Sequence, residues 1–222
     1  LTNTKEVSTG GGVVVVSTDN YNSMAPSTKT DTVFNMYGGT LKGGRTSGSG
    51  GNVTLWHDKC AFNMYGGVIE GGKATNLGGN VRTYNMVQLL GGTITGGSAA
   101  KGKDVNFYNG QLILGGHQNI GQIYFNGDYQ LTIHDSGLTV EQPIQIVANE
   151  GVFATNVKTD LSACFTAMGY DIIYDETAQT LSLQAPTHTA HCACNGADLG
   201  LADHSCAPIS DWKVLTENSF AD

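Results

Sequence analysis

The residues best suited to chemistry crowd into one stretch of this chain. Residues 188–206 read HTAHCACNGADLGLADHSC and bring together His188, His191, Cys192, Cys194, His204 and Cys206, while the whole chain has only 6 histidines and 5 cysteines. Structural zinc takes four ligands drawn from thiolate and imidazole, commonly as two short clusters joined by a loop. The first cluster here is H-x2-H-C-x-C and the second is H-x-C, with Asn195, Gly196 and Gly200 favouring a turn between them. Cys192, Cys194, His204 and Cys206 make one four-ligand set, and His191 can replace Cys192. A disulfide from Cys206 to Cys192 or Cys194 is the competing reading, because an exported protein meets oxidising conditions. It leaves the histidines without a purpose and a third local thiol over. The odd total of cysteines also rules out a fully paired framework. The zinc expected here is structural, and no other cofactor is expected.

Two histidine–aspartate pairs stand elsewhere, His57-Asp58 within WHDKC (56–60) and His134-Asp135. Either pair reads most simply as solvated turn residues. WHDKC nevertheless interrupts a regular pattern and sets Trp56 beside polar groups, which suits recognition of a ligand. Tyr37 and Tyr65 fall at one position of that pattern, where two stacked rings can hold a sugar or simply pack on a sheet.

That pattern is a repeat, and it must supply the scaffold. FNMYGGTLKGG (34–44) returns as FNMYGGVIEGG (62–72), as VQLLGGTITGG (87–97) and more weakly as QLILGGHQNIG (111–121). GGNV (50–53), GGNV (78–81) and GKDV (102–105) lie between the units. Glycine pairs beginning at Gly38, Gly66, Gly91 and Gly115 step by 28, 25 and 24 residues. WHDKC accounts for about three extra residues in its coil, and a longer insertion near 18–32, including YNSMAPSTKT (21–30), lies upstream. Aligning GGGVV (10–14) with GGNVT puts Val13 level with Val53.

A period of this length, made of short β-rich runs and glycine corners, marks a solenoid. No window carries the apolar spacing of an amphipathic helix. The expected fold is all-β: a right-handed parallel β-helix with three apolar ladders. These are Met36, Met64, Leu89 and Ile113; Leu41, Ile69 and Ile94, with Gln118 as the exception; and Val13, Val53, Val81 and Val105. Asn52, Asn80 and Asp104 share one position just before the valines and are expected to form a structural hydrogen-bonded column. After Gly121 the repeat decays. DIIYDETAQTLSL (171–183) reads as a hairpin turning at Asp175 to Gln179, fit to cover the open end. The expected organisation is residues 1–150 as β-helix, 151–186 as capping segment and hairpin, and 187–222 as a Cys/His-rich tail or connector.

GG-T-I-x-GG followed by GGNV resembles the glycine-rich repeats of large bacterial cell-surface proteins with pectate-lyase-like parallel β-helix folds. The resemblance covers roughly residues 8–147. The hairpin followed by H-C-x-C and a later H-x-C is similar to segments that separate modules in those proteins, although Asn195 stands where a glycine is expected. The resemblance implies an extracellular location, a structural or adhesive role towards glycans or host surfaces, and contact with neighbouring modules or copies. Its alternative is polysaccharide cleavage. Runs such as Asn-Thr-Asp, Asp-Asp, Gly-His-Gly or Arg-Ile-Lys, which resemblance to such enzymes would predict, are missing, and Asp58, Glu70, Asp104, Asp128 and Asp135 are scattered.

Composition narrows the partners further. A formal net charge of −8 with two arginines, Arg45 and Arg82, gives no patch able to neutralise a phosphate backbone, so nucleic acid is not expected. No apolar run is long enough for a membrane-spanning helix. The start, Leu-Thr-Asn-Thr-Lys, lacks a signal-peptide pattern, and the chain reads as a piece of a longer or processed protein.

The tail reading generates the first prediction. Native mass spectrometry of the full chain should show one zinc that a chelator removes, with Cys192, Cys194 and Cys206 then alkylatable. A mass two hydrogens light that ignores the chelator and responds to a reductant would instead establish the disulfide.

Overall fold

The computed structural model describes residues 1–2, 5–7, 11–16, 32–56 and 59–186. The whole Cys/His cluster, the 21–30 loop, His57 and Asp58 lie outside them. The chain divides into a compact unit, Leu1–Ala185, and a second, Pro186–Asp222, of which Pro186 alone is described.

The first unit is a parallel β-solenoid of about five turns. Its strands stack in sheets of seven, ten and three. One regular coil runs through Val53–Leu55, Cys60–Met64, Val68–Glu70 and Lys73–Ala74, and the next begins at Val81–Thr83. Val53, Val81, Val105 and Ile123 pair in register, as do Phe34, Phe62 and Val87 on the second face. Parallel pairing brings like residues together in adjacent coils, so one apolar choice per coil becomes a continuous column. Val53, Val81, Val105, Met64, Leu89, Ile69 and Ile94 have no solvent exposure.

The pairs Gly50–Gly51 and Gly78–Gly79 answer two separate demands at the narrow corner. The first member has a left-handed backbone, with φ of +72° at Gly50 and +63° at Gly78, a conformation that costs a residue with a side chain about 1–2 kcal/mol. The second member has no room for a Cβ. At Gly51 it would collide with the Gly79 carbonyl, and at Gly79 with the Lys103 carbonyl. Successive coils therefore touch backbone to backbone.

That tight corner buries backbone groups which the strands leave unpaired, and the Asn52, Asn80, Asp104 column takes them up. Asn52 Oδ1 accepts from the Gly44 N–H (2.9 Å), and its Nδ2 donates to the Glu70 carbonyl (3.0 Å) and to Asn80 Oδ1 (2.8 Å). Asn80 repeats the pattern with the Gly72 N–H (2.9 Å), the Thr95 carbonyl (2.8 Å) and Asp104 Oδ1 (3.0 Å). Asp104 Oδ1 also accepts from the Gly97 N–H (2.9 Å). The chain of amides has a direction, each donating to the next, and its last member needs only to accept.

The structure corrects three register assignments. Val14, not Val13, pairs with Val53, so Val13 occupies the asparagine position and the column starts one coil later. Leu114, not Ile113, continues the Met64–Leu89 ladder, and Ile120, not Gln118, pairs with Ile94. One extra residue at Gly115–Gly116 bulges out of the strand and displaces the later pairings by one place. Leu114 is accordingly an interior residue and does not share the outward position of Tyr37 and Tyr65. Gln118 is fully buried, its Nε2 donating to the Leu89 (2.8 Å) and Gly115 (2.6 Å) carbonyls.

From Ile120 the chain passes through Gly121 directly into Gln122–Phe125, so the third face disappears, together with its glycine corners. Coiling nevertheless continues past residue 150: Gly151–Thr155 pairs in parallel with Leu131–Val140, and Phe165–Ala167 with Ile144–Val147. Asp171–Asp175 and Thr180–Gln184 then form an antiparallel hairpin whose second strand pairs with Gly151–Thr155. Its Leu181 and Leu183 cover the interior. No helix among the described residues is long and apolar enough to cross a membrane.

Asn80→Leu would strand the Gly72 N–H and the Thr95 carbonyl inside the corner, each costing about 1–3 kcal/mol. Denaturant unfolding should show a loss of about 3 kcal/mol or more. Asn35→Leu, on the exposed side, should shift stability by less than about 0.5 kcal/mol.

Candidate functional site

Among the described residues, three places outside the apolar interior gather polar or aromatic side chains. The first continues the Tyr37–Tyr65 position. Strand pairing ends at Met36 and Met64, and the next residues hold their rings stacked at a centroid separation of 4.9 Å and an interplanar angle of 7°. Tyr37 is 74% exposed and Tyr65 44%. Beside them Asn63 Nδ2 donates to Asn35 Oδ1 (2.9 Å) on the same outer surface. The result is an exposed aromatic step two coils deep, flanked by amides.

The second place lies on the outer side of the seven-stranded sheet. Arg82 points outward between Val81 and Thr83, which face the interior. Its guanidinium carbon lies 4.7 Å from the centre of the Tyr108 ring, 5.3 Å from that of Trp56 and 5.7 Å from that of Tyr84. Tyr84 and Tyr108 stack at 5.6 Å, and all four side chains are partly exposed. Among the described residues no carboxylate forms an ion pair with Arg82, and its Nε is buried without a hydrogen-bond partner. Burial lowers its pKa, partly offset by Tyr108 and Tyr84. Asn106, paired with Arg82 in the next coil, is completely buried, and both ends of its amide lack a partner.

Of the residues picked out in the sequence, Trp56 belongs to this second cluster. Arg82, Tyr84 and Tyr108 were not recognised there. A signal existed: Tyr84-Asn85 and Tyr108-Asn109 follow Val81 and Val105 by the same interval in successive repeats. His57 and Asp58 fall outside the described residues.

The third place is a cavity of about 280 Å³ lined by Ile133 to Leu138, Asn156, Lys158, Thr159 and Leu161. Three residues more than the neighbouring strand bulge out here, and His134 and Asp135 lie in that bulge. Lys158 Nζ reaches Asp135 Oδ1 at 2.7 Å, and Asn156 Nδ2 donates to the same oxygen at 3.1 Å. The Lys158 bond, the Asn156 bond and the Lys158 charge together hold the Asp135 carboxyl below its usual range. His134 Nδ1 contacts Ser136 Oγ at 2.8 Å. His134 and Asp135 are thus drawn to different partners.

No three His, Cys, Asp or Glu side chains converge on a metal-sized site among the described residues. Cys60 is buried in the core with Sγ 3.1 Å from the Val16 carbonyl; Cys164 sits in a short 3-10 turn, its thiol pushed up by burial and by Asp160. The Asn52–Asn80–Asp104 column faces the interior, where Asn52 and Asn80 have no exposure and Asp104 5%.

Asp104 generates a pH prediction. Burial raises its pKa, against the opposing pull of hydrogen bonds from Gly97, Asn80 and Gln122 and of the Lys103 charge. A raised folded-state value means that ionising Asp104 costs stability. That cost is absent below the ordinary carboxylate range and complete above the raised value. Asp135 and Asp160 act the other way, losing stabilisation as pH falls through their lowered values. The stability of wild type relative to Asp104→Asn should therefore rise on acidification from neutral towards the ordinary aspartate range. A flat difference in unfolding midpoints would refute the assignment.

No protein-family model, no curated protein and no solved structure matches this chain.

Proposed function

We propose that this chain is a non-catalytic structural and adhesive module of an extracellular, bacterial cell-surface protein. It holds surface groups at a fixed spacing on a stiff scaffold and presents them to glycans or a host surface. The observation that carries the reading is the Tyr37–Tyr65 step: two parallel rings left in solvent on a solenoid whose other large aromatics mostly pack inward. Aromatic faces of this kind stack on the apolar face of a sugar ring, and amides such as Asn35 and Asn63 reach its hydroxyls. Coil-to-coil hydrogen bonds fix the spacing between the rings, so little ordering has to occur on binding. Association with neighbouring modules or copies, and a zinc-closed tail, belong to the same proposal.

A second reading, polysaccharide cleavage, has one observation in its favour: the cavity that gathers His134, Asp135, Ser136 and Lys158. Turnover of acidic polysaccharides by the full chain, with Ca²⁺ added, would establish it and overturn the adhesive reading.

The direct test is a glycan array probed with the full chain. Wild type should bind a defined subset, and Tyr37→Ala with Tyr65→Ala should lower affinity for it about tenfold or more, with an unchanged melting temperature. Equal binding by the double variant would remove Tyr37 and Tyr65 from the site.

A further inference from the structure

Arg82 stands in an unusual position for the only arginine on its sheet. Taking a cation out of water without a counter-charge is costly unless other groups replace the lost hydration. Trp56, Tyr84 and Tyr108 replace part of it through their ring faces, at 4.7 to 5.7 Å. They do not satisfy all of its N–H groups: Nε is buried without a hydrogen-bond partner. A guanidinium set against three rings and paired with no carboxylate among the described residues is half of a recognition pair. The matching half is a carboxylate, which a guanidinium grips through two parallel hydrogen bonds.

The rings restrict what carries that carboxylate. They come from three successive coils, Trp56 from one, Tyr84 from the next and Tyr108 from a third, and all remain partly exposed. Together they offer an amphipathic wall beside the charge, suited to a ring with an apolar face, hydroxylated edges and an acidic substituent. We propose that Arg82, Trp56, Tyr84 and Tyr108 form a subsite for a carboxylate-bearing sugar of an anionic glycan. The inference rests on the glycan-presenting role proposed above, and adds both a second site and a chemical class. It also gives a use for a cation on a chain of formal net charge −8, which repels anions at long range. Binding should accordingly depend on the short-range pair and not on long-range attraction.

The test uses the full chain in a Trp212→Phe background, which leaves Trp56 as the remaining indole. The probe is a glucuronate-containing tetrasaccharide, compared with the same tetrasaccharide after its carboxyl has been reduced to the alcohol. The acid should change Trp56 fluorescence and bind at least tenfold more tightly than the alcohol. Arg82→Gln should abolish that difference, and Tyr108→Ala should weaken both sugars. If Arg82→Gln proves unstable, the acid–alcohol comparison on the otherwise native chain decides alone. Equal affinity for the two sugars, or equal response to a glutamate oligomer, would overturn the assignment. If the array shows neutral glycans bound through Tyr37 and Tyr65 while the uronate is ignored, this inference falls and the adhesive reading stands. A blank array together with no uronate binding removes both.

Discussion

A buried side-chain amide that donates to the next one, coil after coil, is the interaction on which this structure depends. The narrow corner closes where glycines let backbones touch, and closing it removes backbone N–H and C=O groups from water without giving them strand partners. Asn52 and Asn80 supply those partners, and each also donates to the next member of the column, so a single residue type satisfies the corner and locks the coils in register. An apolar residue at this position would fill the same space and leave the polar groups stranded. Such a partly satisfied network is worse than none.

The direction of the column explains its last member. Every asparagine needs an acceptor below it, and below Asp104 the third face of the solenoid is gone. Gly121 packs against the carboxylate and the Gln122 N–H donates to it. Asp104 Oδ1 accepts from both Asn80 and Gly97, and a carboxylate has no amide donor that would need a further acceptor. The substitution at the end of the column, the loss of the GG corner and the shorter path from Ile120 to Gln122 are one event. The repeat does not fade here; it changes from a coil with three faces to one with two.

Much of this was legible in the residues. Parallel stacking places like on like, so a period in the sequence is also a contact map, and the Val53–Val81–Val105 column and the Asn52–Asn80–Asp104 column follow from spacing alone. What spacing does not carry is a bulge. One residue added between Phe107 and Gln111 exchanges Ile113 for Leu114, and a second at Gly115–Gly116 completes the exchange of Gln118 for Ile120. At the first coil a run of three glycines and four valines fits two registers equally well, and hydrogen bonds from Val13 and Val14 to Asn52 choose between them. The Arg82 cluster escaped for another reason. Its members are spread from Trp56 to Tyr108 and meet only because they lie on successive coils. An arginine without a repeating partner looks idle until the rings around it are seen.

Scaffold and surface divide the residues by the direction in which they point. Inward positions are constrained twice, by packing and by the identity of the residues one coil above and below, so a change there propagates along the column. Outward positions at Tyr37, Tyr65, Trp56, Arg82, Tyr84 and Tyr108 are constrained only by neighbours on the surface. On the proposed reading a ligand spans side chains from two or three coils at once, and those side chains are at binding distance only while the coils are in register. Ligand binding then stabilises the stacked form by mass action and adds to the lock that the amide column provides from inside. The two systems need no contact with each other to cooperate, because both act on the same quantity, the alignment of one coil with the next.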